Sequence, residues 1–168
     1  MQTLESSPLV SPPLTPRPAA PLNGRLAASR SIATSDLYPP LVLVIDDHDD
    51  SRTIARLVLE SAGFRVVDAR TGFEGLRIAL DAKPLVVLLD LVLPGVDGWE
   101  IARLLRLESS TKDAVIIAVT AVATPEDHDR ALLAGCDEVL TKPVPPTSML
   151  DTVRRYVGLP VPAAGRSC

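Results

Sequence analysis

Three short runs of aliphatic residues constrain the fold of this chain most strongly. They cover residues 41–45, 85–89 and 114–119, and each is followed at once by a polar residue. Uninterrupted apolar runs of this length are typical of strands that are buried on both faces, as in a parallel sheet covered by helices. The sequence therefore predicts such a sheet at the centre of the domain.

Between these runs, apolar residues recur at helical spacing. We predict helices over residues 51–62, 72–82, 99–107, 124–134 and 147–157, with two less hydrophobic strands over residues 64–69 and 138–140. The order strand, helix is thus repeated five times, which implies right-handed βαβ units. The predicted fold class is α/β, a doubly wound five-stranded parallel sheet with helices on both faces.

The same patterns predict which side chains form the apolar helix faces. They are Ile54, Leu57, Val58 and Ala62 in the first helix, and Phe73, Leu76, Ala79 and Leu80 in the second. We expect Asp49 or Asp50 to cap the first helix, and Thr124 followed by Pro125 to begin the fourth.

The two ends of the chain differ in composition from the middle. Residues 1–40 hold eight of the 16 prolines, and proline fixes φ and removes a hydrogen-bond donor. We therefore interpret residues 1–40 as a disordered, partly polyproline-like extension, residues 41–158 as the single domain and residues 159–168 as a short tail. A docking ligand, suggested by the PxxP spacing of Pro13–Pro16, stays open for the extension. A transit peptide is a third option, but its amphipathic helix would not survive these prolines.

Charge and hydropathy argue against several classes of partner. The net charge is −4 at pH 7, so no basic patch indicates nucleic acid. No apolar run approaches the roughly 18 residues that cross a bilayer, and no signal-peptide pattern begins the chain. Cys136, which we expect to be a small buried side chain, and Cys168 show no disulfide or metal-ligand spacing. We expect a cytoplasmic protein with no membrane or nucleic-acid partner.

Polar residues follow four of the predicted strands. Asp46 and Asp47 follow the first, Asp90 the third, Thr120 the fourth and Lys142 comes just after the fifth. The carboxyl ends of parallel strands meet at one edge of the sheet, where open α/β folds bind ligands. Gathered carboxylates repel each other unless a hard cation such as Mg²⁺ neutralises them. With the ammonium and hydroxyl groups, this site suits a phosphoryl group, which an aspartate can accept as an acyl phosphate.

At these positions the chain resembles the receiver domains of response regulators, the phosphoacceptor modules of two-component signalling. The resemblance covers nearly all of residues 41–158. Its motifs are the pair Asp46-Asp47, the segment Asp90–Gly98, the pair Thr120-Ala121 and the segment Ala134–Pro143. The resemblance implies the flavodoxin-like strand order 2-1-3-4-5. Because the chain begins at Met1 and no output domain follows, we expect a stand-alone receiver.

The resemblance also implies a role for each residue of the site. Asp90 would be the phosphorylated nucleophile. Mg²⁺ would be bound by Asp47, Asp90 and the backbone carbonyl of Val92, and by Asp46 through water. Thr120 would swing inward to hydrogen-bond the phosphoryl group. A histidine kinase or phosphotransfer protein would supply that group.

Lys142 would pair first with Asp90 and then with the phosphoryl oxygens, and the peptide bond Lys142–Pro143 would be cis. Phosphorylation would shift a pre-existing equilibrium of the face formed by residues 124–157, which an unidentified downstream protein would bind. A homodimer through this face stays open. The chain would be a signalling switch, with no enzymatic activity beyond its own phosphorylation and dephosphorylation.

Four aliphatic residues depart from the usual receiver pattern. Val139 and Val144 stand where receivers often carry aromatic side chains, so we expect the output switch to differ. Val92 and Val122 lie two positions past the proposed nucleophile and hydroxyl. They offer no hydrogen bond to a water that attacks the acyl phosphate, which predicts a relatively long-lived phosphorylated form.

Two alternative functions remain. A phosphorylation-independent, receiver-like scaffold is favoured by Val139 and opposed by the complete set of site residues. A Mg²⁺-dependent phosphohydrolase of the haloacid dehalogenase type would need Asp-x-Asp after the first strand, whereas here the two acids are adjacent. We interpret His48 and His128 as solvated residues, because no second ligand is expected near His48.

Overall fold

The computed structural model describes residues 39–121 and 124–161. Within them, strands and helices alternate along the chain. The strands are β1 (Leu41–Ile45), β2 (Arg65–Ala69), β3 (Val86–Leu89), β4 (Val115–Thr120) and β5 (Glu138–Thr141). The helices are α1 (Asp49–Ser61), α2 (Gly72–Ala82), α3 (Gly98–Leu107), α4 (Pro125–Ala134) and α5 (Pro146–Val157). The strands form one parallel sheet in the order β2-β1-β3-β4-β5, which confirms the predicted fold class and strand order.

The three aliphatic runs form the three central strands. In the parallel register Ile45 pairs with Leu89, and Leu89 pairs with Ala118. Alternate residues of each strand point to opposite faces of the sheet. Leu43 therefore packs in a core with residues of α2, α3 and α4, whereas Val42 packs on the other face with residues of α1 and α5. This register brings the residues that follow β1, β3 and β4 to one edge of the sheet.

The two predicted helix starts have different outcomes. The side chain of Thr124 accepts a hydrogen bond from the Asp127 N–H, and Pro125 begins α4, as predicted. At α1 the cap residue is His48, and no side-chain hydrogen bond caps the helix. The prediction that Asp49 or Asp50 caps α1 is wrong, because both lie inside its first turn, where a carboxylate favours the positive end of the helix dipole.

The buried face of α1 is only partly the predicted one: Val58 and Ala62 pack against the core, as expected. Ile54 and Leu57 were expected on the apolar face, but they are 51% and 63% exposed. The helix instead buries Arg52, Ala55 and Leu59. Arg52 can be buried because its guanidinium group donates to the backbone carbonyl of Asp46 at 2.7 Å and to other acceptors nearby. Hydrogen bonding of this kind removes most of the penalty for burying a charge.

The second helix also differs from its prediction in part, although Ala79 is buried and Leu76 packs against the core, as predicted. Phe73 is exposed, while Gly72, Gly75 and Ala79 are buried. A Cβ atom at Gly75 would lie 2.3 Å from the Cδ1 atom of Ile45. Helix α2 therefore contacts β1 through a glycine, and this close approach decides which face of the helix is buried.

Two further predictions concern the rest of the chain. Cys136 is buried as expected, and burial raises the pKa of its thiol to about 12. In the described part of the chain, no helix is both long and apolar enough to cross a bilayer. The predictions for residues 1–38, for Val122 and for residues 162–168 lie outside the described residues.

Candidate functional site

The acidic pair lies directly after β1, at the carboxyl edge of the sheet. Asp46 is only 5% exposed. Its backbone N–H donates to the carbonyl of Ala69 at 3.2 Å, and its carbonyl accepts from Arg52 at 2.7 Å. Its carboxylate Oδ1 accepts from the backbone N–H of His48 at 2.8 Å. These contacts from β2, α1 and the loop itself fix the backbone on which both acids are carried.

Asp90 follows β3 and is 4% exposed. Its backbone N–H donates to the carbonyl of Ile45 at 2.8 Å, which sets it beside the end of β1. One carboxylate oxygen, Oδ1, accepts a hydrogen bond from the backbone N–H of Val92 at 2.8 Å. The other, Oδ2, is left to interact with groups from neighbouring strands.

Lys142, which follows β5, joins the two buried acids. Its Nζ atom lies 2.6 Å from Asp90 Oδ2 and 2.7 Å from Asp46 Oδ2. Partial burial lowers the pKa of Lys142, but the hydrogen bonds and charges of the two carboxylates outweigh this effect, so the pKa lies above its usual value. The pair with Asp90 was expected from the resemblance, whereas the contact with Asp46 was not foreseen. The Lys142–Pro143 bond is cis, as expected.

Asp47 offers an atom that is suited to a cation. Its Oδ1 atom is buried and accepts no hydrogen bond from the described residues. A buried carboxylate oxygen without a donor is costly unless a cation binds it. One ligand atom from each of Asp46, Asp47, His48 and Asp90 lies within 4.8 Å of all the others. The acids of this set fit a hard divalent cation such as Mg²⁺.

Thr120 and Val92 lie at the same edge. Thr120 ends β4 and is buried, and its backbone carbonyl accepts from the N–H of Lys142 at 2.8 Å. The side chain of Val92 is 52% exposed. The structure therefore brings every residue of the predicted site to the carboxyl edge of the sheet.

His48 is exposed but lies closer to the acidic pair than expected. Its side chain is exposed, as predicted. However, its Nδ1 atom lies 2.8 Å from Asp47 Oδ1 and 3.3 Å from Asp46 Oδ1, so the expectation that no ligand would be near it is wrong. The loop after β1 turns the imidazole back over the acidic pair.

Sequence reasoning missed two features that shape the loop after Asp90. A Cβ atom on Gly98 would lie 2.5 Å from the backbone oxygen of Asp90 and 2.5 Å from the Cα atom of Leu91. Arg130 of α4 lies 2.9 Å from Asp97 Oδ2, and its guanidinium carbon is 4.1 Å from the centre of the Trp99 ring. The Asp-Gly dipeptide signalled a turn but not its close approach, and no sequence signal pointed to Arg130.

Comparison with known proteins identifies the family of this chain. A family model described as the response regulator receiver domain matches residues 42–154. This chain belongs to the response regulator receiver family. The polar-differentiation response regulator DivK of Brucella anthropi is 29% identical over 120 residues, which cover 71% of this chain and 98% of DivK.

Solved receivers have the same fold. The chemotaxis protein CheY4 of Vibrio cholerae matches with a TM-score of 0.68 and 30% identity, over 70% of this chain and 98% of CheY4. A CheY-like receiver domain protein of Methanospirillum hungatei matches with a TM-score of 0.67 and 27% identity, over 71% of this chain and 94% of its own. The chain is thus a receiver domain of a two-component response regulator, a signalling switch, and neither alternative function is favoured by these relatives.

Proposed function

We propose that this receiver accepts a phosphoryl group on Asp90 and thereby switches a protein-interaction surface. The observation that carries the proposal is the bridge from Lys142 to two buried carboxylates, at 2.6 Å from Asp90 and 2.7 Å from Asp46. An ammonium group held there is placed to neutralise charge on an anion bound at Asp90. A histidine kinase or phosphotransfer protein is the proposed donor.

In the transfer, a carboxylate oxygen of Asp90 forms a bond to phosphorus while the bond from phosphorus to the donor's imidazole nitrogen breaks. Val92 N–H holds Oδ1 at 2.8 Å, so Oδ2, next to Lys142, is the oxygen we assign as the nucleophile. Lys142 then pairs with the phosphoryl oxygens, and the hydroxyl of Thr120 donates to one of them.

The acidic residues have a second role in this proposal. Asp47, Asp90 and the backbone carbonyl of Val92 would hold Mg²⁺, and Asp46 would hold it through water. When bound, the ion neutralises the carboxylates and the charge that develops on the phosphoryl oxygens. The buried Oδ1 atom of Asp47, which accepts no hydrogen bond from the described residues, supports this assignment.

Incubation with Mg²⁺ and acetyl phosphate tests the proposal by intact mass. We expect one phosphoryl adduct on the wild-type protein, no adduct when EDTA replaces Mg²⁺, and none on Asp90→Ala. The wild-type protein without acetyl phosphate is the control. Absence of the adduct from a folded wild-type protein, or its persistence on Asp90→Ala, would contradict the proposal.

The proposed output surface consists of α4, β5 and α5. Arg130 supports a link between this surface and the phosphorylation site, because it joins α4 to Asp97 and Trp99 in the segment that follows Asp90. Val139 lies on β5 and packs against the core without an aromatic ring. We propose that α4 responds through Arg130, that an unidentified protein binds this face in the cytoplasm, and that a homodimer is an alternative use of it.

The phosphorylated form should be long-lived. The side chain of Val92 is half-exposed beside Asp90 and cannot orient an attacking water. We expect Val92→Asn to shorten the half-life of the adduct several-fold, since one well-placed hydrogen bond contributes roughly 1 kcal/mol. Decay after removal of acetyl phosphate can be followed by intact mass. A half-life that is unchanged or longer in Val92→Asn would contradict this prediction, and Val92→Ile is the matched apolar control.

A further inference from the structure

The loop after β1 places an imidazole nitrogen beside the carboxylates. A magnesium site built only from oxygen ligands would not use this nitrogen. His48 Nδ1 lies 2.8 Å from Asp47 Oδ1, yet this oxygen accepts no hydrogen bond. The imidazole does not cap α1 either, although His48 occupies the cap position. The exposed ring therefore lies against the acidic pair, within ion-pair distance of Asp47 Oδ1, but it neither caps the helix nor donates a hydrogen bond to that oxygen.

We propose that His48 is a ligand of the divalent cation in this receiver, so that the site binds first-row transition ions such as Co²⁺ through one nitrogen and the carboxylates. This inference rests on the proposed function, because it uses the same metal site. Imidazole is a preferred ligand of zinc, nickel and related ions, whereas Mg²⁺ prefers oxygen ligands and keeps several waters. His48 would therefore change which ion the site prefers.

The distances permit this assignment. Nitrogen and oxygen ligands of a transition ion lie about 2.0–2.2 Å from it, so two of them are at most about 4.4 Å apart. The ligand atoms of Asp46, Asp47, His48 and Asp90 lie within 4.8 Å of one another, and small side-chain rotations close the remaining gap. The side chain of His48 is 68% exposed, so its ring is free to make such a rotation.

The charge of the site also suits a divalent ion with a neutral extra ligand. Asp46, Asp47 and Asp90 carry a formal charge of −3, and Lys142 adds +1, which leaves −2. A divalent cation balances that charge. A neutral imidazole adds a ligand but no charge, so the charge balance with a divalent cation is unchanged. It should therefore strengthen the binding of ions that prefer nitrogen ligands.

Calorimetric titration with Mg²⁺ and, separately, with Co²⁺ tests the proposal on the full chain purified without a histidine tag. We expect His48→Ala to weaken Co²⁺ binding at least about tenfold and to change Mg²⁺ binding less than about twofold. His128→Ala is the matched control, because His128 is an exposed histidine on α4. It should change neither affinity. The visible absorption of bound Co²⁺ should also differ between wild type and His48→Ala.

Three results would overturn the inference: Co²⁺ binding unaffected by His48→Ala, equal weakening of both ions, or the same loss of Co²⁺ binding in His128→Ala. Failure of this inference is distinguishable from failure of the proposed function. If Mg²⁺ still binds and Asp90 is still phosphorylated by acetyl phosphate, only the role of His48 is wrong. If neither occurs in the folded wild-type protein, the proposed function itself fails.

Discussion

Replacement of Lys142 by methionine is expected to lower the free energy of unfolding by about 3 kcal/mol in the absence of divalent cations. Asp46 and Asp90 are 5% and 4% exposed, and the ammonium group lies within 2.7 Å of a carboxylate oxygen of each. Methionine keeps the apolar part of the side chain but lacks the terminal ammonium group, so two buried carboxylates face each other without a cation. Removing one partner of a buried ion pair costs about 3–5 kcal/mol. We expect the lower end of that range, because the Lys142 side chain is 23% exposed.

Urea unfolding measures this loss of stability. Two comparisons test whether the loss is electrostatic. Mg²⁺ should reduce the difference between Lys142→Met and wild type, because a cation that binds the folded state restores positive charge at the carboxylates. Adding Asp90→Asn should recover part of the loss, because it removes one of the opposed charges. Lys112→Met, at an exposed lysine, is the control and should change stability little. A Lys142→Met protein as stable as wild type without Mg²⁺ would contradict the electrostatic account.

Replacement of Gly98 by alanine is expected to cost about 1–3 kcal/mol of stability and to abolish most phosphorylation by acetyl phosphate. The added Cβ atom would lie 2.5 Å from the backbone oxygen of Asp90 and 2.5 Å from the Cα atom of Leu91. Both atoms belong to the backbone, so no side-chain rotation relieves the contact. The segment that carries Asp90 and the Val92 N–H must then move relative to Lys142.

Gly63→Ala separates this steric effect from the general cost of adding a side chain. Gly63 has a φ of +88°, and a Cβ atom there would meet nothing within 4 Å. We expect this variant to lose about 1–2 kcal/mol through backbone strain and to be phosphorylated as fast as wild type. Normal phosphorylation of Gly98→Ala, or an equal loss of phosphorylation in Gly63→Ala, would show that the close approach at Gly98 does not position Asp90.

Much of the fold could be predicted because burial on both faces leaves a simple pattern. The aliphatic run at residues 85–89 predicted the central strand, and β3 spans Val86–Leu89. The polar residues after these runs could be placed together, because parallel strands in register share one carboxyl edge. That pattern alone predicts that Asp46, Asp90 and Lys142 lie at one site.

The remaining features depend on contacts that a periodic pattern cannot express. Helical periodicity assigns a charged residue to the solvent, yet Arg52 is buried because the Asp46 carbonyl and the Asp68 carboxylate accept its hydrogen bonds. Phe73 is exposed because α2 approaches β1 through Gly75. In both helices, tertiary partners decided the orientation and overrode local hydrophobicity.

The same is true of individual side-chain contacts in the site. The order of the strands indicates that Lys142 lies near Asp90, but the second contact with Asp46 depends on the length and direction of a single side chain. The position of His48 over the acidic pair depends on the loop after β1, in which Arg52 donates to the Asp46 carbonyl and the His48 N–H donates to the Asp46 carboxylate.

The central claim is that Asp90 itself carries the phosphoryl group, and mapping the modified residue tests it most directly. The protein is phosphorylated with acetyl phosphate and Mg²⁺, then reduced with borohydride, which converts an aspartyl phosphate to homoserine. Digestion and tandem mass spectrometry then locate the homoserine. We predict homoserine at position 90 and unmodified aspartate at positions 46 and 47. Homoserine at either of those positions, or a phosphoryl group found on a histidine, would contradict the account.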